Sequence, residues 1–270
     1  MSNERADILL PEEQEAQRFL KELELEVHRV PTTSTSRTPD FLLDGDARGY
    51  VLEVKARDDS KQWTRAMRAG RAAHQKRSMG YSTWAKDIAH NAVQQFRSVD
   101  AQHLRWWVLW LAIKCHASAD AMVDEAIGSL FGVRQIVYHD PRSAGAVSGN
   151  CLFARRGVFE RYPEIVATVV RSVSGFCFCV NDEFARDFAS FRESVLWSFF
   201  ASAHPPTTAA DLTENRGFFR ADLSVGNRKD DSAVVASLER AYGLENAFML
   251  DMKVHSASMV VPCAEPLSIR

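Results

Sequence analysis

Three charged residues, Asp40, Glu53 and Lys55, lie in a segment that otherwise consists of two short apolar runs joined by a turn. The runs are Phe41 to Leu43 and Tyr50 to Lys55, and the Asp and Gly residues between them predict a β-hairpin. Side chains alternate along a strand, so Glu53 and Lys55 share one face of the second strand. If the two strands pair, Asp40 lies close to Glu53. Two carboxylates and an ammonium on one face suit metal binding and acid–base chemistry.

Phosphodiester hydrolysis is the reaction that these residue types favour. It requires an activated water, neutralised charge on the phosphate and a stabilised leaving oxygen, and Mg²⁺ serves all three needs. Proteins hold Mg²⁺ through one or two carboxylates, together with water and substrate oxygens. Asp40 and Glu53 are therefore the candidate metal ligands, with the backbone carbonyl of Val54 as a third. Lys55 is the candidate group for positioning or deprotonating the attacking water, or for neutralising developing charge.

The elements around the hairpin predict an α/β fold. Apolar periodicity and end signals predict a helix over 11–23, a strand over 25–31, a helix over 82–97 and a strand over 105–114. The last of these is apolar on both faces, as expected of a central strand in a sheet that is covered on both sides. Alternation of helices and strands around such a strand predicts a mixed sheet flanked by helices.

The spacing of Pro39-Asp40, twelve residues, then Glu53-Val54-Lys55 resembles the motif of the PD-(D/E)xK nuclease superfamily. The upstream helix, the strand ending at Pro31 and the Thr/Ser-rich loop that follows resemble archaeal Holliday-junction resolvases. The resemblance covers roughly residues 8 to 114. It implies a restriction-endonuclease-like core of α-β-β-β-α-β order and a Mg²⁺-dependent endonuclease, with Mn²⁺ as a substitute. It also implies DNA rather than RNA as substrate and a role in bacterial genome defence or repair.

The resemblance further implies an acidic residue on the first helix that faces the metal site. Counting back from the strand that ends at Pro31 favours Glu13. Helical phase favours Glu12, which lies near the centre of the stripe formed by Ala16, Phe19 and Leu23. Both glutamates therefore stand as candidate members of the site.

A basic stretch follows the second strand of the hairpin and is a candidate for phosphate contacts. Its cationic side chains are Lys61, Arg65, Arg68, Arg71, Lys76 and Arg77. The alternative interpretation is a solvated helix or loop face. Its position directly after Lys55 favours contact with nucleic acid.

The composition limits the remaining choices. A net charge of -2 over 270 residues excludes a chain coated in positive charge, so a nucleic-acid site must be a local patch. The first residues lack the pattern of a signal peptide, and no apolar run reaches the length of a membrane span. The odd number of cysteines, five, is interpreted as reduced thiols in a cytoplasmic protein.

The C-terminal half resembles no family. We expect a nuclease core over 1–114, a continuation of the same α/β domain over 115–204, and an extension over 205–270 for dimerisation or a partner protein. Further helices are predicted over 157–173, 183–200 and 232–242. Trp106, Trp107 and Trp110 are expected in the core rather than stacked on bases.

Two other functions stay open at this point. One is a nuclease-like fold retained as a binding or assembly module without turnover. The other is an unrelated α/β protein in which the hairpin charges are incidental. The unrelated α/β protein would be favoured if the Asp40 and Glu53 carboxylates lay on opposite sheet faces or more than about 10 Å apart. Two carboxylates that bind the same Mg²⁺ must each place an oxygen next to that ion.

Overall fold

The computed structural model describes residues 9–31, 37–59, 61–69, 73–78, 83–114, 119–140, 145–203, 205–250 and 253–258. The helices are α1 (Pro11–Glu22), α2 (Lys61–Arg68), α3 (Thr83–Val99), α4 (Ala119–Phe131), α5 (Val158–Arg161), α6 (Phe188–Phe191), α7 (Val195–Ala203), α8 (Ala209–Glu214) and α9 (Asp231–Tyr242). The strands are β1 (Glu26–Arg29), β2 (Phe41–Asp44), β3 (Tyr50–Arg57), β4 (Ala73–Ser78), β5 (Trp106–Ile113), β6 (Arg134–His139), β7 (Ala146–Leu152), β8 (Ile165–Ser172), β9 (Gly175–Val180), β10 (Phe219–Arg220), β11 (Glu245–Leu250) and β12 (Lys253–Ser258).

Within the described ranges, the main sheet has six strands in the order β1-β2-β3-β5-β8-β9. The pairs β3–β5 and β5–β8 are parallel, and the outer pairs are antiparallel. The mixed α/β sheet expected from the sequence is thereby confirmed. Its middle strand, β5, is buried at every position, so all three of its tryptophans belong to the core, as expected.

Helices cover both faces of this sheet. On one face, α1, α6 and α7 pack against the even-numbered residues of β3 and β5, such as Leu52 and Trp110. On the other face, α3 and α4 pack against odd-numbered residues such as Val51 and Leu109. Glu53 and Lys55 are odd-numbered, so they lie on the α3 side of β3. Burying the apolar residues of both layers supplies the main driving force for folding.

The β2–β3 hairpin is closed by a turn that ends at Gly49. Its φ of +64° is unfavourable for other residues, and a Cβ atom would meet the Leu43 carbonyl oxygen at 2.5 Å. Arg105 braces the turn because its Nη1 donates to the Leu43 carbonyl at 3.0 Å and to Asp44 Oδ1 at 2.7 Å. The hairpin register is fixed by the pairs Phe41–Leu52 and Leu43–Tyr50.

Asp100 fixes the turn between α3 and β5. Its buried carboxylate accepts hydrogen bonds from the backbone N–H of Leu104 at 2.8 Å and of Arg105 at 3.0 Å. It also accepts one from Trp107 Nε1 at 2.9 Å. Three donors therefore satisfy this carboxylate where β5 enters the sheet.

Two predicted helices are wrong. The segment 157–173 holds only the short helix α5, and β8 follows from Ile165. Pro163 disfavours helix in the residue before it, and the β-branched run after it favours a strand that is buried on both faces. The predicted helix over 183–200 is divided into α6 and α7, and the buried Ser194 lies between them.

A second sheet has the order β10-β7-β6-β11 and shares the core on the α4 side of the main sheet. Strands β6 and β7 precede position 205 and strands β10 and β11 follow it, so part of the extension expected over 205–270 pairs with the preceding segment in one sheet. A separate pair, β4 and β12, joins the basic stretch to residues near the C-terminus in antiparallel register. The helix predicted near 232–242 is present as α9. Among the residues that the structure describes, no helix has both the length and the apolar character needed to cross a membrane.

Candidate active site

Asp40, Glu53 and Lys55 lie together where β2 begins beside β3. Glu53 Oε2 accepts a hydrogen bond from the backbone N–H of Asp40 at 3.2 Å. Asp40 Oδ2 accepts one from the backbone N–H of Val54 at 2.7 Å. Lys55 Nζ donates to Glu53 Oε1, forming an ion pair along one face of β3. The side chains of Asp40 and Glu53 are also within hydrogen-bonding reach of each other.

The backbone of Val54 faces the same side as Asp40. Odd-numbered residues of β3 turn their backbone groups toward β5: the Gly49 carbonyl accepts from Trp106 N at 3.1 Å, and the Arg57 carbonyl accepts from Lys114 N at 2.9 Å. Even-numbered residues consequently face β2, whose pairing with β3 ends at Leu52. The Val54 carbonyl thus points toward the side of Asp40, beyond the last paired position.

Two further hydrogen bonds hold the backbone around Asp40 in place. Its carbonyl accepts a hydrogen bond from Val30 N at 3.0 Å, at the end of β1. Gln95 of α3, which is almost fully buried, donates from Nε2 to the Thr38 carbonyl at 2.8 Å. Helix α3 thereby tethers the segment that leads into Asp40, a role that the sequence did not indicate.

Burial dominates the electrostatics of the site. Glu53 has no exposed surface, and desolvation together with the charge of Asp40 raises its pKa to about 8, although Lys55 opposes the rise. Burial also raises the pKa of Asp40, against the hydrogen bond from Val54 and the charge of Lys55. Two adjacent carboxyl groups with raised pKa values favour binding of a proton or a cation at neutral pH.

The two glutamates of α1 face different partners. Glu13 is buried and continues the stripe formed by Ala16 and Leu20. Its Oε2 accepts from Leu10 N at 3.0 Å, and its pKa is raised by burial and, to a smaller extent, by the charge of Asp40. Glu12 instead pairs with Lys114, with its Oε2 at 3.1 Å from Nζ. Glu13 is therefore the acidic residue of α1 whose pKa responds to the charge of Asp40.

The basic stretch is only partly described. Lys61 and Arg65 are exposed on α2, and Arg71 lies outside the described residues. For Arg68, Lys76 and Arg77 the structure describes the backbone but not the side chains. In the β4–β12 ladder, Lys76 pairs with His255 and Arg77 with Val254.

The donor set limits how a metal ion would be held. Across the described ranges, no three or more His, Cys, Asp or Glu side chains are grouped so that they could hold a metal ion. A cation at this site would therefore depend on two carboxylates, one backbone carbonyl and oxygens from water or substrate. That set of hard oxygen donors is the kind that Mg²⁺ accepts.

No family model, curated protein or solved structure matches this chain.

Proposed function

We propose that this protein is a metal-dependent nuclease that hydrolyses phosphodiester bonds, with DNA as its substrate. The observation that carries the proposal is the contact of Asp40, Glu53 and Lys55 on adjoining strands, with the Val54 carbonyl turned to the same side. Raised pKa values at both carboxyl groups support it, because burial disfavours their charged forms and a divalent cation would offset that cost.

In this proposal Asp40, Glu53 and the Val54 carbonyl hold Mg²⁺, and Mn²⁺ substitutes for it. When bound, the ion supplies charge neutralisation at the phosphate and a lowered pKa for water. Glu13 adds negative potential near Asp40 without belonging to the closest donors. Of the two candidate glutamates of α1, Glu13 rather than Glu12 is therefore the proposed member of the site, because the charge of Asp40 contributes to its raised pKa.

Lys55 is the proposed catalytic cation. Its side chain is 32% exposed while its partner Glu53 is fully buried, so the ammonium extends from the protein interior toward solvent. From that position it can donate a hydrogen bond to the attacking water or to a phosphate oxygen as negative charge develops. Glu53 holds the ammonium in this orientation through the ion pair.

The order of elements supports a restriction-endonuclease-like core. Helix α1, strands β1 to β3, helix α3 and strand β5 follow the α-β-β-β-α-β order, with α2 and β4 inserted after β3. The helices α1 and α3 lie on opposite faces of the sheet. In this interpretation the residues after β5 complete the sheet with β8 and β9 and add the second sheet.

The test is cleavage of supercoiled, linear double-stranded and single-stranded DNA and of RNA, with Mg²⁺, Mn²⁺ or chelator. Lys55→Ala and Asp40→Asn should each lower metal-dependent DNA cleavage by about 10²-fold or more. Lys21→Ala and Asp87→Asn are matched controls, because both residues are exposed and lie away from the Asp40–Glu53 contact.

Two outcomes would contradict the proposal in different ways. Cleavage that survives both Lys55→Ala and Asp40→Asn would show that another site is responsible. Nucleic-acid binding without cleavage of any substrate, combined with no heat of Mg²⁺ or Mn²⁺ binding in calorimetry, would favour a binding or assembly module.

A further inference from the structure

A strongly basic cleft lies between α5 and the segment that precedes α9. Five cationic side chains line it. Among the described residues that line it, Glu160 is acidic. The cationic residues are Arg155, Arg156, Arg161, Arg228 and Lys229. The cavity has a volume of about 600 Å³. It belongs to neither the hairpin site nor the basic stretch after β3.

Two of these arginines are part of the framework of the cleft. Arg228, whose side chain is 10% exposed, donates to the Phe153 carbonyl at 2.8 Å and to Glu160. Arg155 donates to the Arg228 carbonyl at 2.8 Å and to Asp231 Oδ1 at 2.8 Å. These bonds hold the two walls of the cleft together, and they use much of the hydrogen-bonding capacity of both guanidinium groups.

The other three cations form no side-chain hydrogen bond to the described residues. Arg156 is 60% exposed and lies 3.6 Å from Glu160, which already binds Arg228. Arg161 is half-buried, and its Nε is a buried atom without a hydrogen-bond partner among the described residues. Lys229 is exposed. Five cations therefore line the cleft with one carboxylate, that of Glu160, and Asp231, which binds Arg155 beside the cleft, is shared with Arg134.

We infer that this cleft binds the phosphate groups of a nucleic-acid strand. Arginine forks match phosphate oxygens, and a concave wall of like charge attracts anions more strongly than scattered surface cations do. Leu223 and Val225 line the same cleft and offer apolar contacts to a sugar or base. Recognition of phosphate follows from the cleft itself, while the choice of nucleic acid over another phosphate ligand rests on the proposed function.

One helix connects this cleft with the hairpin site. The α5 region contacts α3 through Tyr162, whose hydroxyl is 3.0 Å from His90 Nδ1, and through Glu164, which pairs with Arg97 at 2.7 Å. On the same helix, Gln95 holds the Thr38 carbonyl. Gln95 and Arg97 are about 200° apart around the helix axis. The residues that follow α5 and the segment that leads into Asp40 therefore contact different faces of α3.

The test is equilibrium binding without cleavage. Fluorescence anisotropy with labelled single-stranded and duplex DNA, in chelator and at several salt concentrations, compares the wild type with a variant carrying Arg156→Glu, Arg161→Glu and Lys229→Glu. The matched control carries Lys21→Glu, Arg186→Glu and Arg240→Glu, which are exposed in the structure and change the net charge by the same amount. The cleft variant should bind at least about tenfold more weakly, with a salt dependence flatter by about two released ions.

The outcomes separate the possible explanations. Equal weakening in both triple variants, or no weakening in the cleft variant, would overturn the inference. Competition by inorganic phosphate or a mononucleotide, combined with unchanged DNA affinity in the cleft variant, would overturn it in favour of a small-molecule site. Arg156→Ala with Lys229→Ala, both at exposed positions, repeats the measurement if the triple variant unfolds. Because no cleavage is required, a protein that binds through this cleft but cuts nothing would disprove only the nuclease.

Discussion

Asp100 and Glu53 are two buried carboxylates on the same side of the same sheet, and they are stabilised in opposite ways. Asp100 accepts three hydrogen bonds from neutral donors, two in the turn it holds and one in β5. Glu53 accepts one backbone hydrogen bond, from Asp40, and pairs with the charged ammonium of Lys55. A second carboxyl group, that of Asp40, lies beside it and adds to the rise in its pKa.

This difference distinguishes a carboxylate that stabilises a fold from one that is available for chemistry. Removing Asp100 would leave the buried Trp107 N–H and two part-buried backbone N–H groups without their acceptor, which lowers stability. Removing the charge of Glu53 would relieve the cost of burying it and, second, its repulsion with Asp40. A buried carboxylate such as Glu53, whose charge lowers the stability of the fold, is a candidate for function, because the packing of the sheet does not require that charge.

The largest expected effect is on the structural carboxylate. Asp100→Ala should lower the free energy of unfolding by about 2 kcal/mol, because the buried Trp107 N–H and two part-buried backbone N–H groups lose their acceptor. Denaturant unfolding followed by circular dichroism measures it. Asp87→Ala, at an exposed position of α3, is the control and should change stability by less than about 0.5 kcal/mol. A loss near zero for Asp100→Ala would remove the distinction drawn between the two carboxylates.

The second effect is a pH dependence that belongs to Glu53. Its pKa is about 8 in the folded state and 4.5 for the model group, so the folded protein retains a proton that the unfolded chain releases between those values. Stability should therefore fall as pH rises through this window, because the unfolded chain releases the proton that the folded protein keeps. Glu53→Gln removes this contribution.

The measurement is urea unfolding in chelator at a series of pH values from about 5 to about 8 for both proteins. Titrating groups away from the site contribute equally to both, so the difference between the two free energies of unfolding reports Glu53 together with its coupled neighbour Asp40. Glu53→Gln should become more stable relative to the wild type as pH rises. If the free energies of unfolding of the wild type and Glu53→Gln changed with pH in parallel, the burial of Glu53 would carry no pH-dependent cost, which would contradict the prediction.

The smallest effect is stabilisation by a divalent cation. At roughly ten times its dissociation constant, Mg²⁺ should raise the free energy of unfolding by about 1.4 kcal/mol. We expect this for the wild type near pH 8 and not for Asp40→Asn or Glu53→Gln, since each removes a proposed ligand. Ca²⁺ and Mn²⁺ series distinguish a specific site from general screening. Equal stabilisation of all three proteins would place the cation elsewhere.

Local sequence patterns were sufficient for the hairpin and for the contact of Asp40 with Glu53, because turn residues and strand alternation act over few positions. They were insufficient for the choice between Glu12 and Glu13. That choice depends on which side of α1 is buried, and the stripe of buried residues runs through Glu13 rather than Phe19 and Leu23.

Other features depend on residues that are distant in sequence. The run from Ile165 was predicted as helix because its apolar residues fit either period, and only its place beside β5 makes it a strand. The basic cleft joins Arg155 and Arg161 to residues more than sixty positions later. No local motif marks such a site, whereas a cluster of basic residues in one stretch, such as Lys61 to Arg77, is visible at once.

The parallel pairings of β5 also determine when the candidate active site can form during folding. Tyr50 pairs with Trp106 and Trp107 with Ile165, so the two pairings join residues 56 and 58 positions apart. Pairings between such distant segments form slowly compared with a hairpin. The β2–β3 hairpin can therefore exist before β5 covers it, with Glu53 still hydrated and titrating as an ordinary carboxylic acid. Three of the six tryptophans of the chain lie in β5, so fluorescence during refolding follows the docking of this strand.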